Sequence, residues 1–407
     1  MTDLEHAHTD EAPHTRPVVR LRPKGGRRFA EGAPWVYADE LVLDRRAKAR
    51  PPGVVATLED ADRRPLAAVA FNPASTIAAR LLDRDPGATV DAAWFAARLK
   101  RALALRETLH DAPFYRLIHA EADDLPGLVI DRFGDALAVQ PNAAWVDRLL
   151  PDLLAALDAT LAPATVVINA GSRARALEGL GAETRVARGA LDGPIPTPMN
   201  GATYLADLLG GQKTGLFFDQ RPNHAFAARL GRGRAVLDVF THVGGFALAA
   251  LAAGAESALA VDSSEPALDL ARRGAALGGV ADRFQTLKSD AFAALRGFAE
   301  EQRRFGLVIC DPPAFAPQKA ALDAGLRAYA KTARLAAALV EPDGFLALCS
   351  CSHAVDAAAF RAACAQGIAA AGRAAALIHS GGAGPDHPVH AALPETGYLK
   401  ATFWRLS

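Results

Sequence analysis

The second half of the chain alternates between short apolar segments and amphipathic segments, and this regularity constrains the fold more than any other feature. Strand-like segments at 235–240, 258–262, 284–288, 307–311 and 345–349 alternate with helix-like segments at 246–253, 266–277, 291–298, 322–340 and from 355 onward. Repeated βα units with apolar strands predict a parallel sheet covered by helices on both faces. Such sheets bind ligands beyond the carboxyl ends of their strands, so we expect the functional residues in the loops there.

The rest of the chain divides into three further regions. A length of 407 residues favours two or three domains. Residues 1–16 have few large apolar side chains and predict a disordered tail, whereas 17–90 carry short apolar segments between turn residues and predict a small β-rich domain. Residues 91–195 predict a central α+β domain, with helices at 91–109 and 145–161, a hairpin around Gly134 and a strand at 165–169. The proline-rich segment 193–198 is interpreted as a linker or turn before the α/β domain at 196–407.

Charge and cysteine content restrict the environment and the partners. The net charge is zero, which offers no bulk attraction to nucleic acid. Arg20, Arg22 and Lys24 open a local basic cluster that could bind phosphates, although a solvated loop would look the same. No apolar run is long enough to span a bilayer, and the four cysteines form neither a zinc pattern nor a secretory arrangement. We therefore expect a soluble cytoplasmic protein without a metal site or a membrane partner.

The segment Asp238-Val239-Phe240-Thr241-His242-Val243-Gly244-Gly245-Phe246 places two glycines between a strand and a helix. Glycines let a ligand approach the backbone and the start of the helix. The absence of Gly-x-Gly-x-x-Gly disfavours a nicotinamide site and favours an S-adenosylmethionine turn, with a purely structural turn as the alternative. Asp262 and Ser263 after the next strand would contact the ribose, and Asp290 and Ala291 after the third would lie near the adenine. Each aspartate alone is more often a helix cap, so the argument depends on their recurrence after successive strands.

Two further loops supply candidate catalytic residues. In Asp311-Pro312-Pro313-Ala314-Phe315 the prolines stiffen the loop. In a methyltransferase such a loop cradles the target base, with Pro312, Pro313 and Phe315 beside the base and Asp311 bonding its polar edge.

Cys351 follows the fifth strand and should lie at the same edge of the sheet. A thiolate adding to carbon 6 of cytosine, with Asp311 supporting protonation of N3, would make carbon 5 able to accept a methyl group. Cys351 should then have a lowered pKa and partial access, with Cys349 and Cys310 as competing candidates and Cys364 structural.

Together these motifs resemble the bacterial 23S ribosomal RNA cytosine-carbon-5 methyltransferases that carry an N-terminal PUA domain. The resemblance extends over nearly the whole chain. It includes Gly32-Ala33-Pro34-Trp35-Val36-Tyr37, Phe71-Asn72-Pro73, the segments 77–84, 119–128 and 211–221, Ser350-Cys351-Ser352, the segment 384–389 and Tyr398-Leu399-Lys400. It implies a Rossmann-like class I methyltransferase domain with a mostly parallel seven-stranded sheet, a PUA-like RNA-binding domain and a central α+β domain.

The resemblance also implies site residues and partners. Lys213, Phe217, Asp219 and Arg221 would help to build the S-adenosylmethionine pocket, and the substrate would be ribosomal RNA, with 23S RNA favoured. The resemblance leaves open whether the protein forms a homodimer. The segment 168–175 replaces a charged motif expected there, and Asp124 and His224 replace commoner residues, so RNA contacts or target choice could differ.

Three other functions stay open at this point. The nearest is methylation of a nucleobase nitrogen, because similar Asp-Pro-Pro-Phe loops serve enzymes that act on exocyclic amines, and Cys351 would then be structural. A second is an RNA-binding protein that has kept the fold without catalysis. A dehydrogenase ranks last, because the glycine pattern does not fit it.

Overall fold

The computed structural model describes residues 16–211 and 214–407, and every element named below lies in that part of the chain. The predicted disordered tail lies outside the described residues, apart from Arg16. The Arg16 guanidinium donates to the carbonyls of Pro86 and Ala88 at 2.7 and 2.5 Å. Among the described residues, no helix is long and apolar enough to cross a membrane, and no group of three or more His, Cys, Asp or Glu side chains could hold a metal ion.

The N-terminal region is β-rich, as predicted. It contains β1 (Val18–Arg20), α1 (Arg27–Ala30), β2 (Trp35–Val36), α2 (Arg45–Lys48), β3 (Val54–Glu59), β4 (Pro65–Phe71) and β5 (Ala79–Asp83). The strands form one sheet in the order β1-β3-β4-β5-β2, with β1 and β3 parallel and the other pairs antiparallel. Alternating side chains such as Leu58 and Val69 are fully buried in its core.

The central region is a second sheet packed against helices. Its elements are α3 (Ala92–Leu109), β6 (Phe114–His119), β7 (Leu128–Phe133), β8 (Ala136–Pro141), α4 (Ala144–Arg148), α5 (Leu150–Leu161), β9 (Thr165–Ile168), α6 (Arg173–Leu177) and β10 (Arg185–Arg188). The strand order is β10-β9-β8-β7-β6. Gly134 turns the predicted β7–β8 hairpin at φ 66°. The predicted helix at 145–161 is instead two helices, because Leu149 leaves the helical conformation (φ −103°, ψ 19°) and Pro151 lies in the first turn of α5.

Most of the proline-rich segment 193–198 lies in a strand that begins at Ile195, so its interpretation as a linker or turn was wrong from that residue onward. Two strands, β11 (Ile195–Met199) and β12 (Ala202–Ala206), pair as an antiparallel hairpin. Pro196 and Pro198 lie on the exposed face of the hairpin, and they alternate along β11 with Thr197 and Met199, which are buried. Proline cannot donate to a neighbouring strand, but a two-stranded hairpin has edges where no donor is required.

The remaining elements form the seven-stranded sheet and its helices. They are α7 (Arg221–Leu230), β13 (Ala235–Val239), α8 (Gly245–Ala252), β14 (Ser257–Asp262), α9 (Glu265–Leu277), β15 (Phe284–Lys288), α10 (Ala291–Glu300), β16 (Phe305–Cys310), α11 (Leu322–Ala337), β17 (Val340–Ser350), α12 (Ala357–Ala370), β18 (Ala375–Gly381) and β19 (Lys400–Leu406). The strand order is β15-β14-β13-β16-β17-β19-β18; the first five strands run parallel, and β19 is antiparallel to both its neighbours. The mostly parallel seven-stranded sheet is therefore confirmed. The predicted helix at 322–340 ends earlier, because Val340 pairs with Phe305 in the sheet.

Candidate functional site

The site lies where the strand order of the large sheet reverses. From β13 the chain adds β14 and β15 on one side, and then crosses back to add β16 and β17 on the other. The loops that follow β13 and β16 therefore flank a crevice at the carboxyl ends of the strands, which is where open α/β sheets bind ligands. These two loops contain the predicted cofactor turn and the Asp311 loop.

The turn after β13 has an uncommon backbone. Phe240 and His242 have positive φ angles of 64° and 52°, and Gly244 has a φ of 86°. For a residue with a side chain this conformation costs about 1–3 kcal/mol, and such residues cluster at functional sites. A Cβ on Gly245 would lie 2.9 Å from Nε2 of His224, so this position has no room for a side chain. The turn thus keeps bare backbone at the start of α8.

Asp238 lies beneath this turn and is fully buried. Its Oδ2 accepts from the Thr241 hydroxyl at 2.5 Å and from the Ala247 N–H at 3.0 Å. Its Oδ1 has no hydrogen-bond partner among the described residues. Burial raises the pKa of Asp238 to about 6, although these hydrogen bonds lower it in part. A buried carboxylate oxygen without a donor is costly, so it indicates a place for a ligand's donor group.

Two aspartates follow the next strands, as predicted. Asp262 ends β14, and its two oxygens accept from the N–H groups of His242 and Ser264 at 2.9 Å each, which ties it to the cofactor turn. Ser263 beside it is exposed. Asp290 caps α10 by accepting from the Ala293 N–H at 2.9 Å. Asp290 is exposed, and Ala291, the first residue of α10, is buried.

These features fit S-adenosylmethionine. The glycine turn leaves room at the start of α8, the orphan oxygen of Asp238 can accept from a cationic group, and each Asp262 oxygen has a second lone pair for a hydroxyl.

The segment before α7 contacts the turn after β13 through Phe217. Phe217 is half-buried, with its ring 5.1 Å from that of His242. Asp219 is buried and accepts from the Tyr398 hydroxyl at 2.5 Å. Arg221 instead faces the central region, where it donates to the Phe114 carbonyl. Lys213, predicted in the same pocket, lies outside the described residues.

Asp311 follows β16 and is held by a chain of amides. Gln220 Nε2 donates to Asp311 Oδ2 at 2.8 Å, and Asn223 Nδ2 donates to Gln220 Oε1 at 2.7 Å. In the same loop Pro312 is buried and Pro313 is exposed. Phe315 is half-buried with its ring 4.9 Å from that of Tyr329. The amide chain therefore fixes where the carboxylate points.

The four thiols differ in their exposure. Cys310, Cys349 and Cys364 are buried in the core, and Cys351 is half-buried just beyond the end of β17. Burial raises the pKa of Cys310 and Cys349 well above the ordinary value and that of Cys364 to about 12. A thiol that cannot ionise is a poor nucleophile, so the three buried cysteines are inert at neutral pH.

The serines on either side of Cys351 fix its loop to the rest of the site. The Ser350 and Ser352 hydroxyls lie 2.8 and 2.7 Å from the Tyr329 hydroxyl. Ser352 Oγ also accepts from the Ala316 N–H at 3.0 Å. Ala316 directly follows the loop 311–315 that contains Asp311. The loop after β17, residues 351–356, which we call the thiol loop, is therefore bonded to the end of the Asp311 loop.

Of the predicted basic residues, Arg20 ends β1, and Arg22 and Lys24 lie in the turn that follows it. None of the three is bonded to the loop after β17. Arg20 forms an ion pair with Glu59 at 2.9 Å, Arg22 donates to the Leu41 carbonyl at 2.9 Å, and Lys24 is exposed. A neighbouring residue reaches further. The Arg28 guanidinium lies 3.8 Å from the Glu395 carboxylate. The backbone carbonyl oxygen of Glu395 lies 3.4 Å from Nδ1 of His353, which is two residues beyond Cys351.

Sequence reasoning missed the residues that support the site. Gln220 and Asn223 orient Asp311, Tyr329 holds the thiol loop, and Tyr398 joins Asp219. Gln220 and Tyr398 lie within segments that the family resemblance had marked, which was an available signal. Tyr329 lies within a helix, where no local pattern distinguishes it from a core residue.

Comparisons with known proteins agree with this architecture. A family of PUA-like domains matches residues 19–84, and a family of S-adenosylmethionine-dependent methyltransferases matches residues 195–372. Among solved structures, a putative SAM-dependent methyltransferase from Streptococcus mutans superposes with a TM-score of 0.79 at 16% identity, covering 96% of this chain and 100% of the other. A putative methyltransferase solved in complex with SAH gives a TM-score of 0.80 at 16% identity, with the same coverage. These two structures support the fold.

Closer relatives cover almost the full length. The ribosomal RNA large subunit methyltransferase I of Cronobacter sakazakii is 34% identical over 376 residues, which are 90% of this chain and 93% of the relative. The protein of that name from Shewanella amazonensis is 34% identical over 394 residues, covering 95% of this chain and 99% of the relative. The chain therefore belongs to the family of ribosomal RNA large subunit methyltransferases I, which are S-adenosylmethionine-dependent methyltransferases with an N-terminal PUA-like domain.

Proposed function

We propose that this enzyme methylates carbon 5 of a cytosine in large-subunit ribosomal RNA and that Cys351 bonds transiently to the base. The observation that carries the proposal is the position of Cys351. It is the half-buried thiol among four, and its loop is bonded through Ser352 to the loop that contains Asp311. The substrate follows from the names of the relatives, and we expect the reaction to occur in the cytoplasm, where ribosomal RNA is assembled.

The site residues and the domains have different proposed roles. Asp238, Thr241, Gly244, Gly245 and Asp262 would hold S-adenosylmethionine, which supplies the methyl group. Phe217 and Asp219 would complete the pocket, whereas Arg221 and Asp290 have structural partners that account for them. The 17–90 domain would bind RNA, the 91–195 domain would join it to the 196–407 domain, and the target base would be flipped into the crevice.

The chemistry proposed for the base balances as follows. The Cys351 thiolate forms a bond to carbon 6, and the electrons of the C5–C6 double bond move into the ring while N3 is protonated beside Asp311. Carbon 5 then takes the methyl group from S-adenosylmethionine, which would leave as S-adenosylhomocysteine. Transfer of the carbon-5 proton to water or another base restores the C5–C6 double bond and breaks the sulfur–carbon bond, which returns the thiolate, and N3 gives back the proton that it gained.

Methyl transfer from labelled S-adenosylmethionine to ribosomal RNA of a strain lacking the enzyme tests this proposal. Mass spectrometry should locate 5-methylcytosine at one site, and Cys351→Ala should lower the rate at least about 1,000-fold, as expected for loss of a nucleophile. Cofactor binding by calorimetry should be unchanged, and Cys364→Ala is the matched control with near-normal rate. Full activity of the Cys351→Ala variant, or a methylated nitrogen, would contradict the covalent route.

A further inference from the structure

Lys400 reaches the thiol loop from the neighbouring strand. It is the first residue of β19, pairs with Ser350 of β17 and is 8% exposed. Its Nζ donates to the Ser352 carbonyl at 2.6 Å and to the Val355 carbonyl at 2.8 Å. The ammonium thus binds the backbone of the loop directly after Cys351.

The charge of this ammonium is not neutralised by a close carboxylate. Among the described residues no Asp or Glu lies within ion-pair distance of Lys400. Burial lowers the pKa of Lys400, while the Cys351 thiolate and the Asp356 carboxylate raise it. An ammonium held by neutral carbonyls keeps its full positive charge available to a neighbouring thiolate.

Two phenols, those of Tyr329 and Tyr398, also interact with the thiol. The pKa of Tyr329 and of Tyr398 is raised, first by burial and in small part by the Cys351 thiolate, so both phenols stay protonated. Among the described residues, the titratable groups near the thiol loop include Tyr329 on α11, Asp311 after β16, and His353 and Asp356 in the loop itself. Tyr398 lies two residues before Lys400, and its hydroxyl donates to Asp219. The described carboxylates disfavour a thiolate, which makes a nearby cation more important.

We propose that Lys400 is a positioning residue that fixes the Cys351 loop through the two carbonyls and stabilises the Cys351 thiolate by its charge. The proposal rests on the assignment of Cys351 as the nucleophile. A cation beside a cysteine is a common means of keeping the thiolate populated near neutral pH. In this role Lys400 acts through its charge and its two hydrogen bonds and transfers no proton to the base.

The rate of alkylation of Cys351 by iodoacetamide, followed by peptide mass spectrometry from pH 5 to 10, tests this role. In the wild type the midpoint should lie below about 8.5, the ordinary value for cysteine. Lys400→Met should raise the midpoint by about one unit or more and slow alkylation at pH 6.5 by roughly tenfold. Lys400→Arg keeps the cation and should stay close to the wild type. A wild-type midpoint in the Lys400→Met variant would overturn the proposal.

Arg373→Met is the matched control, because Arg373 also donates to backbone carbonyls, those of Ala337, Val340, Glu341 and Ser407, but near the end of β17 that is opposite to Cys351. It should lower the melting temperature without moving the midpoint. If Lys400→Met does not fold, the wild-type midpoint still decides, since a value at or above about 8.5 would contradict a stabilised thiolate. Alkylation needs no RNA or cofactor, so failure of the cytosine proposal would appear separately, as methyl transfer by Cys351→Ala.

Discussion

At the scale of one residue, the buried carboxyl group of Asp238 lowers the stability of the folded protein when it ionises, but the same charge is expected to bind the cofactor. The pKa of Asp238 is raised by burial to about 6, so the folded protein holds this proton more tightly than the unfolded chain does. As pH rises from about 4 to about 6, the unfolded chain releases the proton first, and the folded state loses stability. The loss is about 3 kcal/mol at pH 7, since each pKa unit corresponds to about 1.4 kcal/mol.

We predict that Asp238→Asn removes this loss and weakens the cofactor site. The variant cannot ionise, so its free energy of unfolding should fall about 2 kcal/mol less than that of the wild type between pH 4.5 and 7.5, because about 1 kcal/mol of the loss already occurs below pH 4.5. Its affinity for S-adenosylmethionine should fall at least about tenfold, because a charged acceptor is lost. Urea denaturation at several pH values and calorimetry measure the two effects. The exposed Asp282→Asn is the control, and equal pH dependence in wild type and Asp238→Asn would refute the argument.

At the scale of elements, the periodicity of apolar residues predicted the strands and loops that depend on local sequence. The five parallel strands and the loops after them were predicted because each strand is apolar and each loop has polar or glycine residues at its end. The hairpin β11–β12 was missed because proline usually signals a break, and its pairing with 202–206 is a tertiary choice. Strands β18 and β19 were not located, because β18 is mostly exposed and lacks an apolar pattern. The position of Lys400 beside Cys351 depends on this unpredicted pairing.

The helices α11 and α12 pack closely at a glycine. A Cβ on Gly367 in α12 would lie 2.2 Å from the Ala330 carbonyl oxygen and 2.7 Å from the Ala333 Cβ, both in α11. Ala330 follows Tyr329, which holds the serines beside Cys351. The contact between two helices therefore supports the thiol loop.

Two glycine substitutions should have effects of opposite sign. Gly367→Ala should push α12 away from α11 and lower the free energy of unfolding by about 1–3 kcal/mol. Gly297→Ala in α10 meets no atom within 4 Å and should raise it by about 0.5–1 kcal/mol, because alanine favours the helix. Denaturant unfolding compares the two. Stabilisation by Gly367→Ala would mean that the helices can separate without cost.

At the scale of the whole molecule, a buried glutamate joins the first two sheets. Glu178, which follows α6, accepts from Asn72 Nδ2 at 2.9 Å, from Ser75 Oγ at 3.0 Å and from Arg80 Nη2 at 3.1 Å. Burial alone would raise the pKa of Glu178, but the Asn72 hydrogen bond and the Arg80 charge outweigh it and lower the pKa. The charged form is thus favoured on folding, and this contribution to stability is lost as pH falls below about 4.5.

We predict that Glu178→Ala releases the N-terminal domain from the central one while the methyltransferase domain stays intact. The change removes the carboxylate that accepts from buried Asn72 and Ser75 and one of the two carboxylates that pair with half-buried Arg80, whose other partner is Glu121, so it should cost about 1–3 kcal/mol. Limited proteolysis should then cut between β5 and α3, and RNA affinity should fall while S-adenosylmethionine affinity is unchanged. Glu183→Ala removes the same charge from an exposed position nearby and serves as the control. If the two variants resist protease equally and bind RNA equally, the domains are held together by other contacts, such as the hydrogen bond from Trp35 to Glu121 at 2.9 Å.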